Sequence, residues 1–457
     1  MSGAEPVSLD RTSPPGPGPI RPFHLPPTWS HALGNGLRLR AVGRISIPLV
    51  SGCLVLEAGE ATLEDVRGGL AVLTGDALQG GTGSRSGVEL AEALENLGTS
   101  LRISTGWDAT TVAFTCLAER LNEVMALLAE VVRTPTFPDD EVDRIRRQRL
   151  AAIRQRLMDP GHLADDELDR EVFPAGHPYA RSLAGEVEAV EGVTRDEVAA
   201  YARERYRPGG GGFVLVGDLS PDQVETAVAA ELGDWEGKAP LPFDLPAVEP
   251  RTPRRVLLVH RPGSVQSEIR IGQPGPPRGV EDEDALKVAN SVLGGAFTSR
   301  LNLNLRERHG FTYGVRSSVV QRRRGGQISI GTAVGTEVTG PALREAMGEF
   351  RRFQAEGPTA EEVGQARDYL AGVFPLRMET TAQLAARMAE LLIFDLPDDY
   401  HHTYRERIRA VTPERAVKAA ERHYRPEEAA VVIVGDADQI RAEEEALALG
   451  PVEVKES

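Results

Sequence analysis

The chain has 457 residues, more than one hydrophobic core usually holds, so we expect two to four domains. Its hydrophobic fraction of 41% and charged fraction of 26% are ordinary for a soluble globular protein. The net charge of −16 argues against nucleic acid or an anionic membrane as a partner. No apolar run approaches the ~20 residues of a membrane span. These features together favour a cytoplasmic protein.

Residues 1–27 are rich in Pro, Gly and Ser and lack an apolar core, which predicts a disordered leader rather than a signal peptide. Strand-like and helical patterns then alternate along the chain. In order they predict a strand entered through the Asn35–Gly36 turn, a strand at Leu49–Ala58, helices at Gly69–Gln79 and Gly87–Leu97, a strand pair at Ser100–Ser104 and Thr110–Cys116, a helix at Leu121–Arg133, and a long charged helix from Asp139 to about Met158.

This pattern occurs twice. Three anchors of the first copy return 218 residues later in the second, namely Thr194 as Thr412, Tyr206 as Tyr424 and Asp218 as Asp436. Such a period is too long for a solenoid repeat and indicates a duplicated domain. We place the first domain at residues 28–238, a Pro-rich linker at 239–253, the second domain at 254–449 and an acidic tail at 450–457. Because strict βαβ alternation is missing, each domain is expected to be α+β, with a mostly antiparallel sheet packed against helices.

Cysteine and histidine offer no metal motif. Cys53 and Cys116 lie in apolar, strand-like runs and are expected to be buried free thiols. The adjacent His401 and His402 are predicted to lie at the surface on different sides of a helix. The sequence also lacks a Ser or Cys nucleophile motif and a cofactor fingerprint.

The stretch Gly69–Thr82 frames an apolar helix between glycine pairs. This frame resembles the zinc helix of the pitrilysin/insulinase-type (inverzincin) metallopeptidases, whose signature there reads G-L-A-H-x-x-E-H. The positions of the first His, the Glu and the second His hold Val72, Gly75 and Asp76. A valine cannot ligate a metal and a glycine cannot act as a base, which leaves Asp76 as a lone oxygen ligand.

The family's remaining zinc ligand is a Glu in a downstream helical run of the form L-E-E-I. The matching run here is Leu150–Ile153, with Ala151 and Ala152 at its centre. The resemblance therefore implies a pseudoenzyme with a lost zinc site. We expect no cofactor on this chain and a zinc ion on a partner subunit instead.

The second copy keeps another family feature. Its segment Leu293–Val315 is similar to the family's S-R-L…L-R-E-x-x-G-L-x-Y segment, with Arg306 and Tyr313 at the positions of an Arg and a Tyr that face the zinc site across an enclosed chamber. A fixed guanidinium and a phenol can donate hydrogen bonds to a carbonyl as it becomes an oxyanion. Gly310 is expected to close the helix, so that Tyr313 starts a strand. The alternative makes Arg306 a solvated helix residue and Tyr313 a half-buried strand residue.

The resemblance covers nearly the whole chain, from Gly36 to Asp436. In two-chain members of this family, one chain carries the zinc motif and the other has lost it, and the two form a clamshell. The resemblance thus implies a catalytically silent subunit of a heterodimeric zinc peptidase. It would be inactive alone, would bind unfolded peptides or oligopeptides, and would act with a homologous chain bearing an intact H-x-x-E-H motif.

Peptides would add a strand to a sheet edge, formed by Ser100–Trp107 or by Gly314–Val319. Two alternatives to the heterodimer stay open. One is a non-proteolytic peptide-binding or scaffolding homodimer with the same fold. The other is an active peptidase that uses Asp76 with unrecognised ligands.

Overall fold

The computed structural model describes residues 22–44, 47–64, 67–241, 243–245, 248 and 255–456. Most of the predicted leader, up to residue 21, and parts of the predicted linker lie outside these residues. Two six-stranded sheets, each covered by helices, form the described part of the chain. This architecture confirms the α+β prediction.

The first sheet uses strands from the first sequence copy and the segment before it. Its strands are β1 (Thr28–Ala32), β2 (Arg38–Gly43), β3 (Leu49–Leu56), β4 (Arg102–Thr105), β5 (Thr110–Leu117) and β6 (Gly212–Gly217). They are arranged in the order β1-β2-β6-β3-β5-β4. The β2–β6 pair is parallel and the other neighbours are antiparallel.

The second sheet repeats this arrangement. Its strands are β7 (Val256–His260), β8 (Gln266–Gly275), β9 (Val315–Arg322), β10 (Gly325–Gly335), β11 (Ala430–Gly435) and β12 (Val452–Glu456). The order is β12-β7-β11-β8-β10-β9, so five strands match β2-β6-β3-β5-β4 in order and direction. The duplicated sequence is therefore a duplicated topology.

The C-terminal strand corrects one expectation. Residues 450–457 were predicted to form a tail, but Val452–Glu456 pairs in parallel with Val256–His260 at the edge of the second sheet. The Val-Glu-Val-Lys-Glu alternation of residues 452–456 is a strand signal that the assignment to a tail overlooked. Its backbone hydrogen bonds with β7 hold it in place.

Helices flank both sheets. Those of the first copy are α1 (Leu70–Ala77), α2 (Gly87–Asn96), α3 (Leu121–Arg133), α4 (Asp139–Met158), α5 (Pro160–Val172), α6 (Val187–Glu191), α7 (Arg195–Arg205) and α8 (Pro221–Leu232). Those of the second copy are α9 (Glu283–Asn290), α10 (Thr339–Glu356), α11 (Ala360–Val373), α12 (Thr381–Ile393), α13 (Tyr404–Arg409), α14 (Pro413–His423) and α15 (Ala437–Ala446). Two π-helical segments, Ser291–Gly295 and Asn302–Arg308, follow α9.

The two copies are joined by an exchange of helices. Helix α12 of the second copy packs on β3 and β6 of the first sheet, where Met388 and Leu392 share a buried cluster with Val214. Helix α5 of the first copy packs on β8 and β11 of the second sheet, where Leu168 contributes to a cluster with Val432. Each sheet thus buries one face against a helix from the other copy.

Local predictions about buried side chains are partly confirmed. Cys53 and Cys116 are buried free thiols, and burial raises their pKa values to about 12 and about 11. His401 was expected at the surface, but it is buried against the ring of Phe374, with its Nε2 2.8 Å from the Arg387 carbonyl oxygen. Within the described ranges, no helix has both the length and the apolar character that crossing a membrane requires.

Candidate functional site

Helix α1 is a core element. Leu70, Ala71 and Leu73 are buried in the main cluster of the first copy. The helix begins at Gly69, which has a φ of 92° and leaves no room for a side chain, since a Cβ there would lie 2.7 Å from Val190. Its backbone N–H donates to the Glu60 Oε1 at 2.5 Å, which satisfies one free donor of the helix start.

Gly75, at the position of the family's catalytic Glu, faces the edge strand β4. A Cβ built on Gly75 would lie 2.4 Å from the Thr105 Oγ1, closer than any ordinary contact. Thr105 in turn is held by a 2.9 Å hydrogen bond to the Thr110 hydroxyl. A side chain at position 75 would therefore collide with the Thr105 hydroxyl of strand β4.

Asp76, at the position of the second His, forms an ion pair with Arg149 of helix α4. The Arg149 side chain is mostly buried, whereas that of Asp76 is 41% exposed. A guanidinium thus supplies the positive charge that neutralises this carboxylate. This ion pair links helix α1 to helix α4.

Three of the five positions predicted to have lost the zinc site line one cavity, and the other two do not. Gly75, Asp76 and Ala152 line a cavity of about 500 Å³ between α1 and α4, together with Arg149. Val72 is buried and is not part of its lining, and Ala151 points to the exposed face of α4. Asp76 is the one carboxylate of the described lining, which has no His or Cys, and Arg149 already engages it. The side chains of this cavity do not fit a zinc ion, which needs about three protein ligands.

His260, Asp436 and Asp438 form a cluster with the composition of a metal site. Two of these side chains instead accept hydrogen bonds from backbone N–H groups. The His260 Nδ1 accepts a hydrogen bond from the Ala437 N–H at 3.0 Å, which places the ring proton on Nε2. Asp436 caps helix α15, accepting from the N–H groups of Asp438 at 3.2 Å and Gly263 at 3.0 Å. These groups are committed to ending β11 and starting α15.

Arg306 lies in the π-helical segment of the second copy. Its Cζ is 4.3 Å from the centroid of the exposed Phe297 ring, a cation–π contact. Its Nη1 is buried with no hydrogen-bond partner among the described residues. Gly310, with a φ of 66°, follows this segment and donates its N–H to the Arg306 carbonyl oxygen at 3.1 Å, as expected for a residue that closes a helix.

Tyr313 is placed differently from the prediction. It precedes β9, which begins at Val315, and its side chain is 96% exposed rather than part of a strand. The Thr312 hydroxyl accepts from the Gly314 N–H at 3.1 Å and donates to its carbonyl oxygen at 2.9 Å, so a tight turn holds Tyr313 outside the sheet. The phenol extends into solvent on the same segment as Arg306.

Sequence reasoning missed Phe297 and Leu303. Phe297 is 69% exposed and Leu303 is 51% exposed, and both lie within a few residues of Arg306 along the chain. The Gly294–Thr298 run contains an aromatic residue between small ones, which was the available signal. Exposed apolar side chains around a cation are typical of an interaction surface.

Both candidate edges for peptide addition are confirmed as edge strands. Strand β4 closes one side of the first sheet and β9 closes the same side of the second. Each has one sheet neighbour, β5 and β10 respectively.

Two family models match the chain. Residues 48–185 match the model described as insulinase (peptidase family M16), and residues 192–370 match the model described as the peptidase M16 inactive domain. The chain belongs to the M16 peptidase family. Since its metal positions hold an ion pair instead of a ligand set, it is a catalytically silent M16 homologue.

Sequence relatives include members with and without the peptidase description. A Helicobacter pylori protein named non-peptidase homolog YmxG is 26% identical over 348 residues, covering 75% of this chain and 79% of the relative. An uncharacterized zinc protease of Mycobacterium bovis is 27% identical over 345 residues, covering 75% and 78%. Subunit 1 of the bovine mitochondrial cytochrome b-c1 complex is 24% identical, covering 59% and 56%.

Two solved structures share the fold. The crystal structure of a peptidase M16 inactive domain from Pseudomonas fluorescens has a TM-score of 0.83 at 25% identity, covering 90% of this chain and 98% of that one. A protease from Helicobacter pylori has a TM-score of 0.81 at 17% identity, covering 90% and 100%. The pair of duplicated α+β domains is thus a fold that this chain shares with solved structures.

Proposed function

We propose that this chain is the catalytically silent subunit of a heterodimeric zinc peptidase. It binds peptide substrates and supplies Arg306 and Tyr313 to the zinc site of a homologous partner that bears H-x-x-E-H. The observation that carries the proposal is a contrast between the copies. In the first, Arg149 neutralises the one remaining ligand, Asp76. In the second, Tyr313 is 96% exposed and the Arg306 side chain is 33% exposed, with its Nε 3.7 Å from the Glu307 Oε1.

The chemistry of the pair suits a role in trans. Stacking on Phe297 orients the Arg306 guanidinium without using its N–H donors. The exposed third of this side chain can therefore donate to the carbonyl oxygen of a peptide as negative charge develops on it, whereas the Nη1 is buried. The Tyr313 hydroxyl is a second donor on the same exposed segment. The zinc ion of the partner would supply the polarisation and the activated water.

The peptide itself would be held by strand addition. An extended chain that pairs with β9 would lie beside the segment that carries Tyr313, because β9 begins two residues later. Such main-chain pairing does not depend on the side chains of the peptide, which suits unfolded peptides of varied sequence. The exposed side chains of Phe297 and Leu303 offer apolar contact for the partner subunit.

Purification from the native source tests the assembly directly. A tagged full-length chain should retain a homologous chain with an intact H-x-x-E-H motif, identified by mass spectrometry. The purified pair should contain zinc and cleave an unfolded peptide, whereas the silent chain alone should do neither. Recovery of the silent chain without a motif-bearing homologue would contradict the proposal.

A non-proteolytic peptide-binding or scaffolding homodimer is the second candidate. It is favoured by the ion pair at the metal positions and by the relative named as a non-peptidase homolog. It predicts that the chain alone is a stable dimer by light scattering and binds unfolded peptides without cleaving them. A monomer that binds peptides only with a partner would exclude it.

A further inference from the structure

The second copy contains a cavity at the place that corresponds to the lost metal site. Helix α9 follows β8 as α1 follows β3, and Gly294–Gly295 end the helical run after α9 as Gly80–Gly81 end the run after α1. Helix α11 corresponds to α4, since both follow a proline in the repeated sequence. A cavity of about 430 Å³ lies between these elements and α12, within the size range of small-molecule sites.

Aromatic rings form much of its wall. Phe374 and Tyr404 are stacked with centroids 4.4 Å apart. Arg278 lies over the rings of Phe394 and Tyr400, with its Cζ 5.6 Å and 5.3 Å from their centroids. Flat, apolar surfaces of this kind favour a ligand with an aromatic body.

The charges of the wall are mainly positive. Four cationic side chains and one carboxylate line the cavity, namely Arg278, Lys287, Arg377, Arg387 and Glu390. Three of the four cations are paired, since Glu283 accepts from Lys287 at 2.5 Å and also pairs with Arg278, and Arg387 pairs with Glu390. Behind the wall, Asp284 accepts from Arg407 at 2.8 Å. Arg377 is exposed at the rim and makes no ion pair with a described residue. In a chain with a net charge of −16, this is a local excess of positive charge.

The π-helical segment adds an unsatisfied polar group. Ser291 lines the cavity and is 5% exposed, and its Oγ has no hydrogen-bond partner among the described residues. Buried hydroxyls are nearly always hydrogen-bonded, so an orphaned one beside a cavity indicates a missing partner. Widened π-helical turns are frequent at functional sites.

We propose that this cavity binds a small carboxylate with an aromatic body. The carboxylate pairs with Arg377 at the rim, and the ring lies between the aromatic walls. The lining belongs to this chain alone, so binding requires neither the partner subunit nor the proposed peptidase activity.

Calorimetric titration of the full-length chain with 3-phenylpropionate tests the proposal. Binding of 3-phenylpropionate and at least tenfold weaker binding of its neutral amide are expected, because a charge-assisted hydrogen bond is lost. Arg377→Gln should weaken carboxylate binding about tenfold, whereas Arg415→Gln, which removes an exposed arginine of α14 that is not part of the lining, should not. Thermal unfolding checks that both variants are folded.

Three results would overturn the proposal. They are the absence of binding at millimolar 3-phenylpropionate, equal binding of the acid and the amide, and equal weakening by the two arginine variants. The comparison of acid and amide uses the unaltered chain, so it remains decisive even if a variant misfolds.

Discussion

The substitution Gly75→Ala tests whether strand β4 fills the former catalytic position. In an unobstructed helix, replacing glycine by alanine stabilises a protein by about 1 kcal/mol. At Gly75 the new Cβ would lie 2.4 Å from the Thr105 Oγ1, so the Thr105 hydroxyl must move. That movement breaks its hydrogen bond to Thr110 and forces an unfavourable rotamer, each costing about 1 kcal/mol. We therefore expect a net destabilisation of about 1 kcal/mol.

Urea unfolding of the full-length chain gives the measurement, with Gly348→Ala as the matched control. Gly348 lies in helix α10, and nothing is within 4 Å of a Cβ built there. The control should gain about 1 kcal/mol, so the two glycine variants should differ by about 2 kcal/mol. The additional change Thr105→Ala should remove most of the penalty at position 75. Equal stabilisation by the two glycine-to-alanine variants would refute the collision.

Three further predictions concern other described contacts. Burial raises the pKa of Glu444 from 4.5 to about 7, so the folded chain keeps a proton that the unfolded chain releases, and stability falls as the pH rises through this window. Glu444→Gln should therefore shrink the difference in urea midpoint between pH 5 and pH 8, and an unchanged difference would contradict this role of Glu444. Arg323 donates hydrogen bonds to Glu57 at 2.9 Å and to the Ile393 carbonyl oxygen at 3.0 Å, so Arg323→Ala should lower the free energy of unfolding by about 2 kcal/mol. A loss below about 0.5 kcal/mol in urea unfolding would show that this contact does not hold the copies together. Asp76→Asn should cost less than about 1 kcal/mol and leave the zinc content by plasma mass spectrometry unchanged, and a zinc content that falls with this variant would make Asp76 a metal ligand.

Local signals predicted helices α1 to α4 of the first copy, whereas α5 to α8 were not predicted. Helix α3 and helix α4 have the predicted bounds, because Pro135 and Pro160 stop the preceding helices wherever the rest of the chain lies. The strand pair Ser100–Ser104 and Thr110–Cys116 was also predicted, because two strand patterns separated by a short turn indicate a hairpin. The structure has this hairpin as β4 and β5.

Contacts between distant segments could not be predicted in this way. The short Val-Glu-Val-Lys-Glu alternation of β12 does not reveal its pairing with β7, at the opposite end of the second copy. Tyr313 was assigned to a strand because the turn made by the Thr312 hydroxyl is not visible in residue type alone. His401 is buried only because α12 folds back over it.

At the candidate site, too, the residue types were predicted from sequence and the contacts between helices were not. Family resemblance marked Val72, Gly75, Asp76, Ala151 and Ala152 as positions without zinc chemistry. It did not reveal that Arg149 would pair with Asp76, since that depends on how α1 packs on α4. Likewise, the support that Phe297 gives to Arg306 appears only once the π-helical segment is folded.

The proposed role in trans is tested most directly by peptide cleavage in the reconstituted pair. The silent chain with Arg306→Ala, combined with the motif-bearing partner, should assemble normally by light scattering but lose roughly 10²–10³ in kcat, as expected when a donor to a developing oxyanion is removed. KM should change much less. A pair that contains the Arg306→Ala chain and cleaves the peptide at the full rate would contradict the account.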